Sequence, residues 1–450
     1  MRRPVGSAPV SAGQARRRFM VLLGLRWGGT GFLLPVMVLV MIERGFSLGD
    51  IGLITAAQGV MVLLLELPTG GLSDALGRRP VLMMASIFGA ASVGLYVVAD
   101  SLPLLVVVFA LQGIYRALDS GPLEAWYVDA ALAADPDADI ETGLARGSLA
   151  LGLAMAAGSL AGGGLVALGP LTMGPLGEVD PLVLPLFASL ILEVAHLVAV
   201  AGLMTEPHRG DPRRPSRRAA LHDAMRSTPQ VVSQAIGLIR GNRILLAVIS
   251  VEFLWGFGGT AYETFTPARL AEVVGDSDSA ASLLGPTQAV AWLLFAAGVS
   301  AAPALTRWLG VAYAAAALRI VQGLTVVGIA VAAGPVGVIA AFLLTLAVHG
   351  AANPVHAGLL HRTVQGPTHR ATVVSANSMT AQTGAMLGGI ALGALADATT
   401  LTTAILAGAV ILAAAAPLYL PARRIPTVAQ LSTANEVTTQ PWPSDGDIRP

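Results

Sequence analysis

Three clusters of ionisable and aromatic residues stand inside otherwise apolar stretches of this 450-residue chain. In 103–128, Gln112, Arg116, Asp119, Leu123 and Tyr127 fall within about 80° of one face of a continuous helix, and Glu124 lies beside them. A buried charge costs at least a few kcal/mol in hydrocarbon, so this stripe must line a wet cavity or pair with another helix. An Arg116 to Asp119 pair at i, i+3 would cancel two of the charges and leave Glu124 without a partner. Such a carboxylate can take up and release a proton, which makes Asp119 and Glu124, with Arg116, the proton-coupling candidates. In 242–267, Glu252 and Glu263 stand among Phe253, Trp255, Phe257, Tyr262 and Phe265, a combination that attracts amphipathic cations. Tyr262 and Phe265 equally fit an aromatic belt at a membrane interface; Glu252, near mid-span, does not. In 335–361, His349, Asn353 and His356 share one helical face beside Pro354 and are suited to binding substrate or passing protons. They lack a nearby third metal ligand in sequence, and no metal site is expected. Gln112, Tyr127, Glu252, Trp255, His349, Asn353 and His356 are thus the substrate-cavity candidates.

The elements that must hold these residues follow from composition. The chain is 54% hydrophobic and 12% charged, with a mean hydropathy of +0.71, so it belongs in a bilayer. It has no cysteine, which excludes disulfides, thiolate metal sites and cysteine nucleophiles. All 27 basic residues are arginine. Without lysine there is neither a Walker A loop nor a Schiff base to pyridoxal phosphate or retinal. An ion gradient or a partner subunit must supply energy, and no cofactor is expected. The first apolar run is too long for a signal-peptide core and reads as a retained helix. Hydrolase motifs of the H-E-x-x-H and G-x-S-x-G kinds are absent.

Apolar runs punctuated by Gly, Pro and charge give twelve spans: 19–42, 51–69, 80–99, 103–128, 143–169, 182–204, 242–267, 281–303, 310–331, 335–361, 371–396 and 400–421. The fold class is therefore all-α integral membrane. With the N-terminus inside, 22 arginines lie in or beside the tails and inner loops. Arg44 and Arg269 lie outside, and Arg26, Arg116 and Arg319 lie within spans. This bias puts both termini in the cytosol. The expected division is a disordered tail 1–18, a six-helix bundle 19–204, a cytosolic linker 205–241, a second bundle 242–421 and a disordered tail 422–450. Arg26 sits about 10 Å inside the first span, where snorkelling is strained. Glu193 and His196 in the sixth read as a structural pair. Asp135, Asp137, Asp139 and Glu141 alternate as in a calcium loop but lack its glycine, and read as a solvated acidic loop.

Between the second and third spans lies Gly70-Gly71-Leu72-Ser73-Asp74-Ala75-Leu76-Gly77-Arg78-Arg79, read as a short charged turn. This G-x-L-S-D-x-x-G-R-R pattern resembles the loop signature of the major facilitator superfamily of secondary transporters. Glu66-Leu67-Pro68-Thr69 and the string Arg116 to Trp126 resemble its drug:proton antiporters. Gly158-Ser159-Leu160-Ala161-Gly162-Gly163 resembles the exporters' G-P-x-x-G-G signature, with Ser159 in place of the usual proline. The same spacing returns at Gly384, Gly388 and Gly389, as expected of an internal repeat. Leu305-Thr306-Arg307-Trp308-Leu309-Gly310 looks like an eroded copy of the charged turn.

The resemblance implies twelve helices in two bundles and alternating access to one central cavity. It implies a gate formed by Gly70, Asp74, Gly77, Arg78, Arg79 and Asp129. The expected function is proton-driven export of amphipathic or aromatic small molecules across the plasma membrane, by a monomer with no nucleic-acid partner. Proton-coupled uptake would use the same fold. A membrane enzyme or receptor would need clustered catalytic groups at one membrane face, which the sequence lacks.

Overall fold

A computed structural model describes residues 11–172, 177–205, 233, 236–364 and 367–424. Among the described residues, twelve helical spans are long and apolar enough to cross a membrane. The first is Ala12–Leu33 continued by Met37–Glu43, and the second and third are Leu48–Leu76 and Arg78–Val98. The fourth is broken into Leu102–Asp119 and Pro122–Ala134; the fifth and sixth are Ile140–Ala167 and Leu184–Leu203. The seventh is Arg243–Glu263 followed by Phe265–Val274. Then come Ser277–Leu309, Val311–Val331, Pro335–Arg362, Pro367–Ala398 and Leu401–Ala414, the last extended by a 3-10 helix to Arg424. An even number of spans puts Ser11 and Arg424 at the same face, called here the terminal face.

Local chemistry moves several expected boundaries. Ser11 and Gln14 form a capping box, so residues 12–18 are helix rather than disordered tail. Ser47 and Asp50 form another at the start of the second helix. That helix runs through the expected turn as far as Leu76, and the reversal narrows to Gly77, whose φ of 97° glycine alone adopts readily. The twelfth span's 3-10 extension likewise occupies the start of the expected tail. Most of the linker 205–241 and residues 425–450 lie outside the described residues, although 236–241 are helical.

The repeated glycines pack in matching ways in the two halves. Gly158 and Gly162 meet main-chain atoms of the first span, and Gly384 and Gly388 meet those of the seventh. The third glycine of each set faces the opposite half: Gly163 meets Gly285, and Gly389 meets Gly52. The seam between the halves therefore pairs the fifth helix with the eighth and the second with the eleventh. Ser159 donates to Gly31 O at 3.2 Å, tying the fifth helix to the first with a hydroxyl that proline lacks.

Candidate functional site

Arg26, 7% exposed, comes from the middle of the first span and forms an ion pair from Nε to Asp119 Oδ2 at 2.8 Å. Its guanidinium also lies 4.2 Å from the Tyr115 ring centroid and donates to Thr30 Oγ1 at 2.6 Å. The Tyr115 hydroxyl donates to Glu193 on the sixth span, 2.9 and 3.0 Å from its two carboxylate oxygens. Glu193 is 2% exposed. Three helices thus enclose one guanidinium, two carboxylates and a phenol. Burial makes every member depend on the others, because an unpaired charge there costs several kcal/mol.

Asp119 thus pairs with a neighbouring helix, as one reading of the polar stripe required, and not with Arg116; the expected Glu193–His196 pair does not form. Asp119 is held by Arg26, and His196 Nδ1 instead meets Ser86 Oγ at 3.0 Å. Arg116 is exposed and lies within electrostatic reach of Glu66 on the second helix and Glu263 on the seventh, so it faces the seam between the halves. The break at Ser120 and Gly121, where φ is 89°, resets the helical phase. Residues beyond it therefore leave the polar stripe that a continuous helix would have built. Tyr127 is buried, stacked on Phe19 with centroids 4.6 Å apart, and does not line a cavity. Glu124 is exposed in the first turn of Pro122–Ala134, beyond the break that separates it from Arg116 and Asp119. Gln112 is half-buried.

In the second half Glu252 stands near Arg319 and His356, with its Oε1 3.6 Å from the guanidinium and 3.3 Å from imidazole Nε2. Arg319, 1% exposed, donates to Gln322 Oε1 at 2.8 Å. His356 meets the Tyr419 hydroxyl through Nδ1 at 2.8 Å and Asn377 Oδ1 through Nε2 at 3.2 Å. The expected convergence of His349, Asn353 and His356 does not occur. Asn353 is exposed, and His349 belongs to an aromatic cluster two turns from His356. Trp255 stacks on His349 at 5.0 Å with 8° between planes, and Phe295 approaches the same imidazole at 5.5 Å. His349 Nδ1 is buried there without a hydrogen-bond partner.

Sequence reasoning left Tyr115, Arg319, Asn377 and Tyr419 unassigned. The signal was the pair of mid-span arginines, Arg26 and Arg319, each of which demands a carboxylate from another helix. Neither the identity of that helix nor the aromatic residue beside it follows from spacing.

At the terminal face Arg78 is paired with Asp129 and donates to Ala125 O, while Arg79 donates to Ala201 O. The side-chain surroundings of Gly70 and Asp74 lie outside the described residues. A cavity of about 550 Å³ on this side lies between Glu66 and residues of the tenth and eleventh helices, His361, Arg370, Ser375 and Ser378. At the opposite face the halves meet closely, beneath a mouth of about 770 Å³ lined by Glu43, Asp180, Glu272, Asp276, Asp278 and Asp397. The larger hollow touches none of the buried ionisable groups, whereas the smaller reaches Glu66, which shares Arg116's field.

The family model of the Major Facilitator Superfamily matches residues 19–365. No curated relative matches the sequence. Among solved structures, the nucleoside transporter NupG is 14% identical with a TM-score of 0.73, over 91% of this chain and 99% of its own. A bacterial homolog of the human lysosomal transporter Spinster, inward-facing and occupied, is 15% identical with a TM-score of 0.70, over 93% and 98%. The human organic anion transporter MFSD10 (TETRAN) is 17% identical with a TM-score of 0.57, over 92% and 100%. These identities carry the fold and not the substrate. With the family model spanning most of its length and twelve helices arranged as in these transporters, the chain belongs to the major facilitator superfamily.

Proposed function

We propose that this secondary transporter uses protons to export amphipathic, aromatic small molecules from the side bearing its termini. The observation that carries the reading is the sharing of Arg26 between Asp119, at 2.8 Å, and the ring of Tyr115, whose hydroxyl donates to Glu193 on a third helix. A proton on Asp119 removes its charge and breaks the ion pair, and Arg26 keeps Glu193 as its remaining counter-charge. The first and fourth spans are then free to shift relative to each other, which couples protonation to the exchange of open faces. Aromatic planes at Trp255, Phe295 and His349, with the carboxylates Glu66 and Glu263 at the seam, suit a flat, cationic or amphipathic cargo. The concentration of arginine on the terminal side supports cytosolic termini in a plasma membrane. No bound cofactor enters this scheme, and a single chain suffices for it.

Everted membrane vesicles test it with ethidium as the probe. The wild-type protein is expected to accumulate ethidium when the vesicle interior is acid. Asp119→Asn is expected to reach the membrane in normal amount and to lose this accumulation. Wild-type rates in Asp119→Asn would overturn the assignment of coupling to Asp119. Acid-driven loss of ethidium from preloaded vesicles would replace export by uptake, the direction its fold equally permits.

A further inference from the structure

We infer that the second half carries its own proton-binding site at His356, poised between Glu252, Asn377 and Tyr419, independent of the Arg26–Asp119 pair. The inference rests on the proton-coupled reading above only for its consequence in transport. The site itself is argued from bonding.

His356 is 4% exposed and receives one group from each of three other helices. Its Nε2 faces two acceptors, Glu252 Oε1 at 3.3 Å and Asn377 Oδ1 at 3.2 Å, so this nitrogen carries hydrogen in either protonation state. Its Nδ1 faces only the Tyr419 hydroxyl, at 2.8 Å. A phenol can donate to a bare nitrogen or accept from an N–H, so turning one O–H bond lets Nδ1 take up a proton delivered from water and keep its partner. No backbone movement is needed, and neither state leaves an imidazole nitrogen unsatisfied. A histidine held only for structure needs one donor and one acceptor of fixed sense; here the partner of Nδ1 is ambivalent, and that of Nε2 is anionic.

The surrounding charges make this a balanced switch. Glu252 on the seventh span favours the imidazolium, and Arg319 on the ninth, 3.6 Å from the same carboxylate, opposes it. The eleventh and twelfth helices contribute the neutral Asn377 and the phenol Tyr419. The eighth, which also packs on the tenth, has no ionisable residue between Asp278 and Arg307. On the tenth itself the neighbouring titratable groups are His361 and Arg362, five and six residues on towards the terminal face, and His349, two turns back. A proton at His356 changes the trio Glu252, Arg319 and His356 from neutral to net positive. Its partners lie on four helices that must move together when this half rocks. The two halves therefore hold matching devices of opposite polarity, with a cation on the first span of one and a carboxylate on the first span of the other.

The experiment is nitrogen NMR of the full-length protein in lipid nanodiscs, with its seven histidines ring-labelled. His356 is assigned by the signal lost in His356→Gln, or by the signal that moves in Tyr419→Phe if the first variant does not fold. The expected result is an Nε2–H tautomer at alkaline pH that becomes imidazolium as the pH is lowered to about 4, since a buried ring charges less readily than a free one. Glu252→Gln is expected to move that midpoint to lower pH by about one unit or more, since it removes the anion that favours the charge. A His356 that stays neutral across this range, or one that titrates identically in Glu252→Gln, overturns the proposal. In proteoliposomes, His356→Gln is expected to lower the proton-to-ethidium ratio while retaining coupled flux, whereas Asp119→Asn abolishes coupling. If ethidium is not carried at all, the export reading fails and the titration still decides the proton site.

Discussion

Asp397, at the end of the eleventh helix, accepts a hydrogen bond from Ser47 Oγ at 2.7 Å, although the two residues belong to opposite halves of the transporter. The same carboxylate accepts the Leu48 and Gly49 N–H groups at 3.1 and 2.9 Å. One half thus caps a helix N-terminus of the other, where orphan donors and the helix dipole both favour an anion. Asp397→Ala removes this hold, and hydrogen bonds to a charged group are worth roughly 1.5–3 kcal/mol. The expected outcome is a shift of about 2 kcal/mol, some thirtyfold in population, toward the state open at that face. Spin labels on cysteines introduced at Glu43 and Asp278 would read it as a longer distance. The chain has no native cysteine to interfere. Asp397→Asn, which keeps an acceptor oxygen without the charge, should fall between.

Gly285 and Gly163 define the other contact at this face. A Cβ on Gly285 would stand 2.7 Å from Gly163 Cα and from Ser159 O, atoms of main chain that cannot swing aside. Gly285→Val should therefore wedge the halves apart and abolish transport while leaving membrane insertion intact. Gly164→Val is the control, because nothing lies within 4 Å of a Cβ there. Equal distance distributions in the two variants would show that the seam is not closed by this contact.

Arg26 tests the buried network of the first half. Arg26→Ala leaves Asp119 and Glu193 in a dry site without a cation, and breaking a buried pair in this way costs about 3–5 kcal/mol. Thermal unfolding in detergent should fall accordingly. Arg26→Met combined with Asp119→Leu and Glu193→Gln should recover much of the loss, since uncharged groups of similar size replace the buried charges at little net cost. That triple variant should be folded and unable to couple to protons.

Two exposed carboxylates give an acid-side prediction. Asp139 caps the fifth helix and is held below its ordinary value by hydrogen bonds from Thr142; Asp276 caps the eighth and is held down chiefly by the Ser279 N–H. A depressed carboxyl contributes stability that is complete above its ordinary value and is lost as pH falls through the depressed one. Asparagine caps a helix comparably and does not titrate. Asp139→Asn with Asp276→Asn should match the wild type near neutrality and lose less stability on acidification, as measured by thermal midpoints across pH.

Much of the fold was legible because hydrocarbon imposes one rule: about twenty apolar residues per crossing, with charge collected at the ends. Helix ends were less so. Leu72 to Leu76 read as a turn because they follow glycines and carry charge, yet they complete the second helix up to the one residue with positive φ, Gly77. The capping boxes at Ser11 and Ser47 were visible as Ser-x-x-Gln and Ser-x-x-Asp, and would have extended the first span correctly. The polar stripe of the fourth span failed at Tyr127 because periodicity presumes an unbroken helix, and Gly121 interrupts it. Arg26 and Asp119 are 93 positions apart, and Arg319 and Glu252 come from different helices. Period gives the face on which a charge lies; only packing gives the helix that answers it.

The closed face owes its fit to bare main chain, with Gly52 lying on the Gly389 carbonyl and Gly163 on Gly285. Surfaces of that kind come apart without stripping ions from one another and without baring much oil to water. What pushes them apart is electrical: Glu43 and Asp180 of one half stand around the same mouth as Asp276 and Asp278 of the other, like charges that repel across the gap. Dissolved ions mute that repulsion, so concentrated salt should hold this face shut longer than dilute salt does.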